Sequence, residues 1–214
     1  FGLGINVRDF NEDGYLDVYV ANDYFIPDFL FINNQNGTFS EKIKDHFSHV
    51  PYYAMGTDAA DINNDGLSDL VTVDMTPADH VRNKTMMASM DVEQFNYITK
   101  TQAFLPQYMF NSLFINNDYG IMSDIGLFAG VSQTDWSWAP LLADFDNDGL
   151  KDLFITNGYK KDTKDNDHKK SLTATYKEKG KDFTPEDYYN HVQNSKETPT
   201  PNQMYKNRDG LSFD

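Results

Sequence analysis

Three nine-residue stretches gather oxygen donors at one fixed spacing: Asp9–Asp17 (DFNEDGYLD), Asp61–Asp69 (DINNDGLSD) and Asp144–Asp152 (DFDNDGLKD). Each reads D-x-(D/N)-x-D-G-x-x-D. Acids or amides at positions 1, 3, 5 and 9 aim four side chains inward, and position 7 can add a backbone carbonyl. Glycine at position 6 permits the turn that wraps the chain around an ion. A donor set made only of oxygen suits a hard cation with six to eight ligands at about 2.3–2.6 Å, so calcium is the expected ion, one per loop. The first site would use Asp9, Asn11, Asp13, Tyr15 and Asp17; the second Asp61, Asn63, Asp65, Leu67 and Asp69; the third Asp144, Asp146, Asp148, Leu150 and Asp152, with Tyr15, Leu67 and Leu150 giving their carbonyls.

An EF-hand begins in a similar way but needs a bidentate Glu at position 12 and a helix on each side. Position 12 here is Val20, Thr72 and Ile155, each inside an apolar run of strand type. Crowding supplies a separate argument. The proposed sites hold three, three and four carboxylates, and anions so close together cost several kcal/mol unless a cation neutralises them or they take up protons. Asp, Asn and Gly also favour turns that bind nothing; three such turns in register, each followed by the same kind of strand, favour the ion.

The elements around the loops repeat as well. Apolar runs follow each loop at Val18–Ala21, Leu70–Val73 and Leu153–Thr156, and a small residue sits five places before each first Asp: Gly4, Gly56 and Ala139. A second motif recurs at Asp28–Asn33, Asn111–Asn116 and Asn202–Asn207, followed by a turn glycine (Gly37, Gly120, Gly210, the last displaced by one position) and an apolar residue at Phe39, Met122 and Phe213. Each unit therefore reads strand, acidic loop, strand, connection, strand, tight turn, strand, the pattern of a four-stranded propeller blade. The expected fold is all-β: about three antiparallel blades of a larger ring, at about 1–45, 52–128 and 134–214, with helical insertions at about 75–110 and 158–201. Successive connections in a meander alternate ends, so acidic loops and insertions belong at opposite ends of the blades.

Within the insertions, 79–90 and 91–103 are helix candidates. Thr184-Pro185-Glu186-Asp187 is a helix start with a Thr cap, Pro at the first position and an acid at the third. The stretch 160–181 mixes Lys and Asp with few apolar residues and reads as a solvated surface excursion. Met86, Met87, Met90, Phe95, Tyr97, Tyr108, Met109 and Phe110 give the second insertion an apolar, adaptable character, suited to covering the neighbouring blades or to a partner groove, the former preferred. Trp136 and Trp138 alternate along the strand before the third loop, for blade packing or, as the rival use, a sugar-stacking platform.

Composition narrows the function classes. The 214 residues carry 33 acidic against 18 basic side chains, a formal charge of −15, which argues against nucleic acid or an anionic membrane as the main partner. There is no cysteine, so disulfides, thiolate metal sites and cysteine nucleophiles are excluded. No stretch reaches the roughly 18 apolar residues of a membrane span. Opening on Phe1 without an initiator Met and stopping at Asp214 inside an apparent strand, the chain reads as a piece of a longer protein, so missing targeting signals carry little weight. His46, His49, His80, His168 and His191 form no H-E-x-x-H pair, and neither a G-x-S-x-G elbow nor a phosphate loop is present.

On these motifs the chain resembles FG-GAP/VCBS repeats, the blades of integrin-α-type propellers. Residues 55–66, 134–149 and 154–159 look like bacterial VCBS-repeat proteins of the ASPIC/UnbV, cartilage acidic protein-like group, although no ASPIC/UnbV segment is present. The resemblance implies calcium in the acidic loops, an extracytoplasmic location (secreted, periplasmic or outer cell surface), and most often a seven-bladed ring closed by further blades of the parent chain. The expected function is a non-enzymatic calcium-binding module that recognises a protein or glycan through its insertion face. The alternatives are a propeller part of a polysaccharide-degrading enzyme and a purely structural scaffold.

Overall fold

A computed structural model gives the architecture and describes residues 1–86, 91–118 and 120–214. The first unit comprises β1 (Gly2–Arg8), β2 (Asp17–Asn22), β3 (Phe29–Asn33) and β4 (Phe39–Glu41), followed by a short helix α1 (Ile43–His46) and β5 (Val50–Pro51). The second contains β6 (Gly56–Ala60) and β7 (Asp69–Val73). Its insertion then runs through β8 (Met75–Thr76), α2 (His80–Met86), α3 (Val92–Asn96) and β9 (Gln107–Tyr108), and β10 (Ser112–Asn116) and β11 (Met122–Asp124) complete the unit. The third has β12 (Asp135–Ala143) and β13 (Asp152–Asn157), an insertion with α4 (Asn166–Lys179) and α5 (Pro185–Gln193), and β14 (Gln203–Tyr205).

Three antiparallel four-stranded sheets result, ordered β1-β2-β3-β4, β6-β7-β10-β11 and β8-β12-β13-β14. The first two are meanders of consecutive strands of one unit. The third differs from expectation. Its own fourth strand shrinks to a single bridge between Asn207 and Phe213, and the other edge of the sheet is extended by β8, which comes from the second unit's insertion and pairs Met75 with Trp136. Met75–Thr76 and Gln107–Tyr108 of the second insertion are thus sheet residues, the latter pairing in parallel with β5.

Both cores lie between successive sheets. Phe10, Tyr19, Leu30, Leu70 and Phe114 fill the space between sheets one and two; Ile62, Val71, Val73, Leu113, Leu142 and Leu153 fill that between two and three. Alternation along the strands sorts the residues: Leu70 faces one core and Val71 the other, as do Phe114 and Leu113, because successive side chains of a strand point to opposite faces. The middle sheet is covered on both faces, and all five residues of β7 and all five of β10 are buried. The first strands β1, β6 and β12 pack side by side. Gly56 is required there, since a Cβ would lie 2.4 Å from the Trp138 carbonyl oxygen. The outer faces stay open: Leu3, Ile5 and Val7 on the first sheet and Leu141 and Phe145 on the third are exposed.

The connection between second and third strands ends the same way in every unit. The N–H of Asn22 donates to Asp28 Oδ1 at 2.7 Å, that of Asp74 to Asn111 Oδ1 at 2.7 Å, and that of Asn157 to Asn202 Oδ1 at 2.9 Å. The pairs are 6, 37 and 45 residues apart. Antiparallel order puts these connections at the opposite end of each sheet from the acidic loops.

The insertions are helical in part. α2 covers the first half of the 79–90 candidate, and residues 87–90, with Met87 and Met90, lie outside the described residues. The 91–103 candidate forms α3 under an Asp91 cap and continues into a π-helical turn at Tyr97–Thr101. Thr184 and Asp187 make a reciprocal capping box at the start of α5. The 160–181 excursion is solvated as expected, yet it contains the 14-residue helix α4 with no buried residue, capped by Asp165. The two inserted regions meet through Arg82, whose guanidinium is paired with Asp135 at 2.7 Å and Asp162 at 3.0 Å.

Candidate metal centres

Each acidic loop joins the first and second strands of its unit, and all three adopt one hydrogen-bonded conformation. The position-1 carboxylate takes two backbone N–H groups from positions 5 and 6: Asp9 from Asp13 (3.1 Å) and Gly14 (2.8 Å), Asp61 from Asp65 (3.1 Å) and Gly66 (2.9 Å), Asp144 from Asp148 (3.1 Å) and Gly149 (2.9 Å). The position-3 side chain accepts from the same position-5 N–H: Asn11 at 3.2 Å, Asn63 at 3.1 Å and Asp146 at 3.2 Å. Position 5 accepts from the N–H of position 7, so Tyr15, Leu67 and Leu150 donate to Asp13, Asp65 and Asp148 at 2.9, 2.8 and 3.0 Å. Two residues of each loop take a left-handed conformation. Position 6 is Gly14, Gly66 and Gly149 at φ 85°, 91° and 95°; position 4 is Glu12, Asn64 and Asn147 at φ 59°, 60° and 61°. Glycine suits the former, and asparagine tolerates the latter better than glutamate does.

The position-9 aspartates tie each loop to its own sheet. Asp17, Asp69 and Asp152 are buried, and in each one oxygen accepts the N–H of position 2 while the other accepts the N–H of the asparagine ending the third strand. The distances are 3.0 and 2.9 Å for Asp17 (Phe10, Asn33), 2.8 and 2.9 Å for Asp69 (Ile62, Asn116), and 3.1 and 2.9 Å for Asp152 (Phe145, Asn207). Position 2 was not singled out from the sequence. Phe10 and Ile62 are fully buried in the two cores, whereas Phe145 is exposed on the open face; an apolar residue between two acids was the available signal.

In the third loop, oxygens of Asp144, Asp146 and Asp152 all lie within 4.8 Å of one another. Such convergence of hard oxygen donors, each steered by backbone N–H groups, fits a calcium ion. Position 3 is Asn11 and Asn63 in the other loops, which have three carboxylates each at their donor positions. Burial pushes the Asp69 carboxyl up to about 6, with Asp65 and Asp61 adding repulsion. Burial likewise raises Asp17, with Asp13 and Asp9 contributing. Half-buried Asp13 and exposed Asp148 are held low, by the Tyr15 N–H for the former and by the Leu150 N–H and Lys206 for the latter. A divalent cation relieves the repulsion that the buried members feel.

The other candidate residues have these surroundings. Trp136 is buried, stacked on Tyr159 at 4.6 Å between ring centres, and packed with Met55 and Met75. Trp138 is 43% exposed with its ring N–H on the Gly158 carbonyl at 2.7 Å. Met86 is buried, and Tyr108 stacks against Phe95 and Phe110. His46 meets the Gly120 carbonyl, His49 meets Asp124, and the rings of His168 and His191 lie 4.4 Å apart. A cavity of about 770 Å³ opens between α2, α4 and α5, lined by residues including Asp79, Arg82, Asp162, Asp165 and His168. Asp79 accepts the Arg82 N–H, Asp165 caps α4, Asp162 binds Arg82 and Thr198, and the exposed Asp167 pairs with Lys170 at 3.3 Å. No helix among the described residues is long and apolar enough to cross a membrane.

A search among curated proteins finds no match to the chain. The stretch from the first acidic loop to the second strand of the second sheet, residues 9–72, matches the model of a family described as FG-GAP-like repeat.

Proposed function

We propose that the three acidic loops each bind calcium, in a module of the extracellular or cell-surface kind of which FG-GAP-like repeats are typical. One observation carries the reading: three loops of the same spacing share one hydrogen-bond pattern that gathers carboxylate and amide oxygens at one end of the sheets. Calcium would be held by the side chains at positions 1, 3, 5 and 9, with the carbonyls of Tyr15, Leu67 and Leu150 completing the shell. The ion would supply the counter-charge that locks each loop to its neighbours. Thermal unfolding in excess calcium and in excess chelator tests this, because a ligand confined to the folded state stabilises it by about 2.7 kcal/mol per site at a hundredfold excess over Kd. An identical melting temperature in both conditions would sink the reading.

The insertion end serves recognition of a protein or glycan rather than catalysis, supported by the engagement of the cavity's carboxylates in helix caps and ion pairs. Further blades of the parent chain would cover the open faces at Leu3, Ile5 and Val7 and at Leu141 and Phe145, since the equivalent faces inside the array are covered by the neighbouring sheet. Binding of the chain to a glycan array, compared before and after removal of residues 160–199, examines the recognition role; binding that survives the deletion counts against that insertion.

A further inference from the structure

Lys206 sits directly before the asparagine that ends the third strand of its unit, where the other units have Ile32 and Ile115. Those isoleucines are partly or fully withdrawn from solvent, with Ile115 6% exposed. Lys206 instead reaches the third acidic loop, with its ammonium 3.0 Å from Asp148 Oδ2 and in contact with Asp146 Oδ2. In the first two loops the matching position-5 oxygen is served by a neutral donor from the loop itself: Asn11 Nδ2 to Asp13 Oδ2 at 3.2 Å, and Asn63 Nδ2 to Asp65 Oδ2 at 2.8 Å. Asp146 has no N–H to offer, and the ammonium stands in for it.

Charge ties the two differences together. At the four side-chain donor positions the first two loops carry three carboxylates each and the third carries four, and the Lys206 ammonium offsets one of those four, leaving a sum of three negative charges there. The equality is only formal. An asparagine amide can turn its oxygen to an incoming cation, whereas an ammonium has no oxygen to give, must leave, and repels the ion from wherever its tether allows.

We propose that Lys206 is a tethered competitor for the calcium of the third loop, so that this loop loads last, at higher free calcium than the other two. The inference rests on the reading of the loops as calcium sites. Solvent-exposed pairs such as these open at small cost, so Lys206 weakens binding, by about tenfold, without abolishing it.

Equilibrium dialysis of the whole chain against radiolabelled calcium chloride tests the idea. The expected result for the unaltered protein is two ions bound, then a third at about tenfold higher free calcium. Asp144→Asn should remove that last step. Lys206→Ile, the residue type of the other two units, and Lys206→Gln, a polar second variant for this exposed position, should bring the third ion into the range of the first two. Three bound ions with a curve unchanged in both Lys206 variants would overturn the competitor role and leave the calcium sites standing. No bound ion in any of the proteins, with circular dichroism showing them folded, would instead overturn the calcium reading, and this inference with it.

Discussion

The side-chain amide of Asn116 donates to the backbone carbonyl of Phe10, 3.0 Å away and 106 residues earlier in the chain. Asn207 does the same to Ile62 at 3.0 Å across 145 residues. Both asparagines also present their backbone N–H to the position-9 aspartate of their own unit. Each therefore clamps two acidic loops at once, its own and the preceding one, and the acidic-loop end of the array behaves as one connected structure.

Both asparagines are buried, so truncation leaves carbonyls without a donor. Asn116→Ala and Asn207→Ala should each lower stability by about 1–3 kcal/mol in urea unfolding. Asn116→Ala should also weaken calcium binding at the first loop, whose position-2 carbonyl it releases. A denaturation midpoint equal to that of the parent protein would contradict the clamp.

Glu12 is exposed and holds φ at 59°, where the second and third loops have asparagine at 60° and 61°. Asparagine accepts this backbone more readily than a long side chain does. Glu12→Asn should raise the melting temperature, by the equivalent of about 0.5–1 kcal/mol, and Glu12→Val should lower it. Melting curves recorded in chelator separate this backbone effect from any change in calcium affinity; a variant with asparagine that melts lower than the parent refutes the argument.

Asp28 is fully buried, accepts from the Tyr19 hydroxyl and latches the Asn22 N–H. Burial raises its carboxyl from 3.8 to about 7, with the Asp74 charge adding to the rise and the hydrogen bonds from Asn22 and Tyr19 opposing it. The folded state then binds this proton more tightly than the unfolded chain. The resulting stabilisation is complete below the unfolded value and is lost as pH rises through about 7. In chelator, stability measured by urea should therefore fall between pH 5 and pH 8. Asp28→Asn keeps an oxygen for the Asn22 N–H, as Asn111 and Asn202 do at the matching places, and should fall less over the same interval. Asp74, also buried and also raised to about 7, retains its share of the slope. Parallel pH profiles for the two proteins would rule out Asp28 as a source of the dependence.

Legibility in the sequence followed the range of the interactions. The strand after each loop was readable because a continuous apolar run follows D-x-(D/N)-x-D-G-x-x-D every time, and the α5 start because Thr184 and Asp187 form a local cap. β5, β8 and β9 have two residues each and exist only through pairing with distant strands, so nothing local announces them. α4 lacks an apolar stripe and was readable as solvated but not as helical. At the loops, the donors at positions 1, 3, 5 and 9 were visible from spacing alone. The burial of Asp17, Asp69 and Asp152 and the reach of Lys206 arise from third strands that fold back 16 to 60 residues away.

The bond from Asn22, Asp74 or Asn157 to the Asx side chain opening the third strand closes spans of 6, 37 and 45 residues with nearly the same length. Chain length is nearly free at that point, because closing a longer loop adds entropy only slowly. The position works as a socket: what is plugged into it can be lengthened, exchanged or rewritten while the strands on either side keep their register. The insertion end of such an array can diversify at its own pace, uncoupled from the acidic-loop end that holds the strands together.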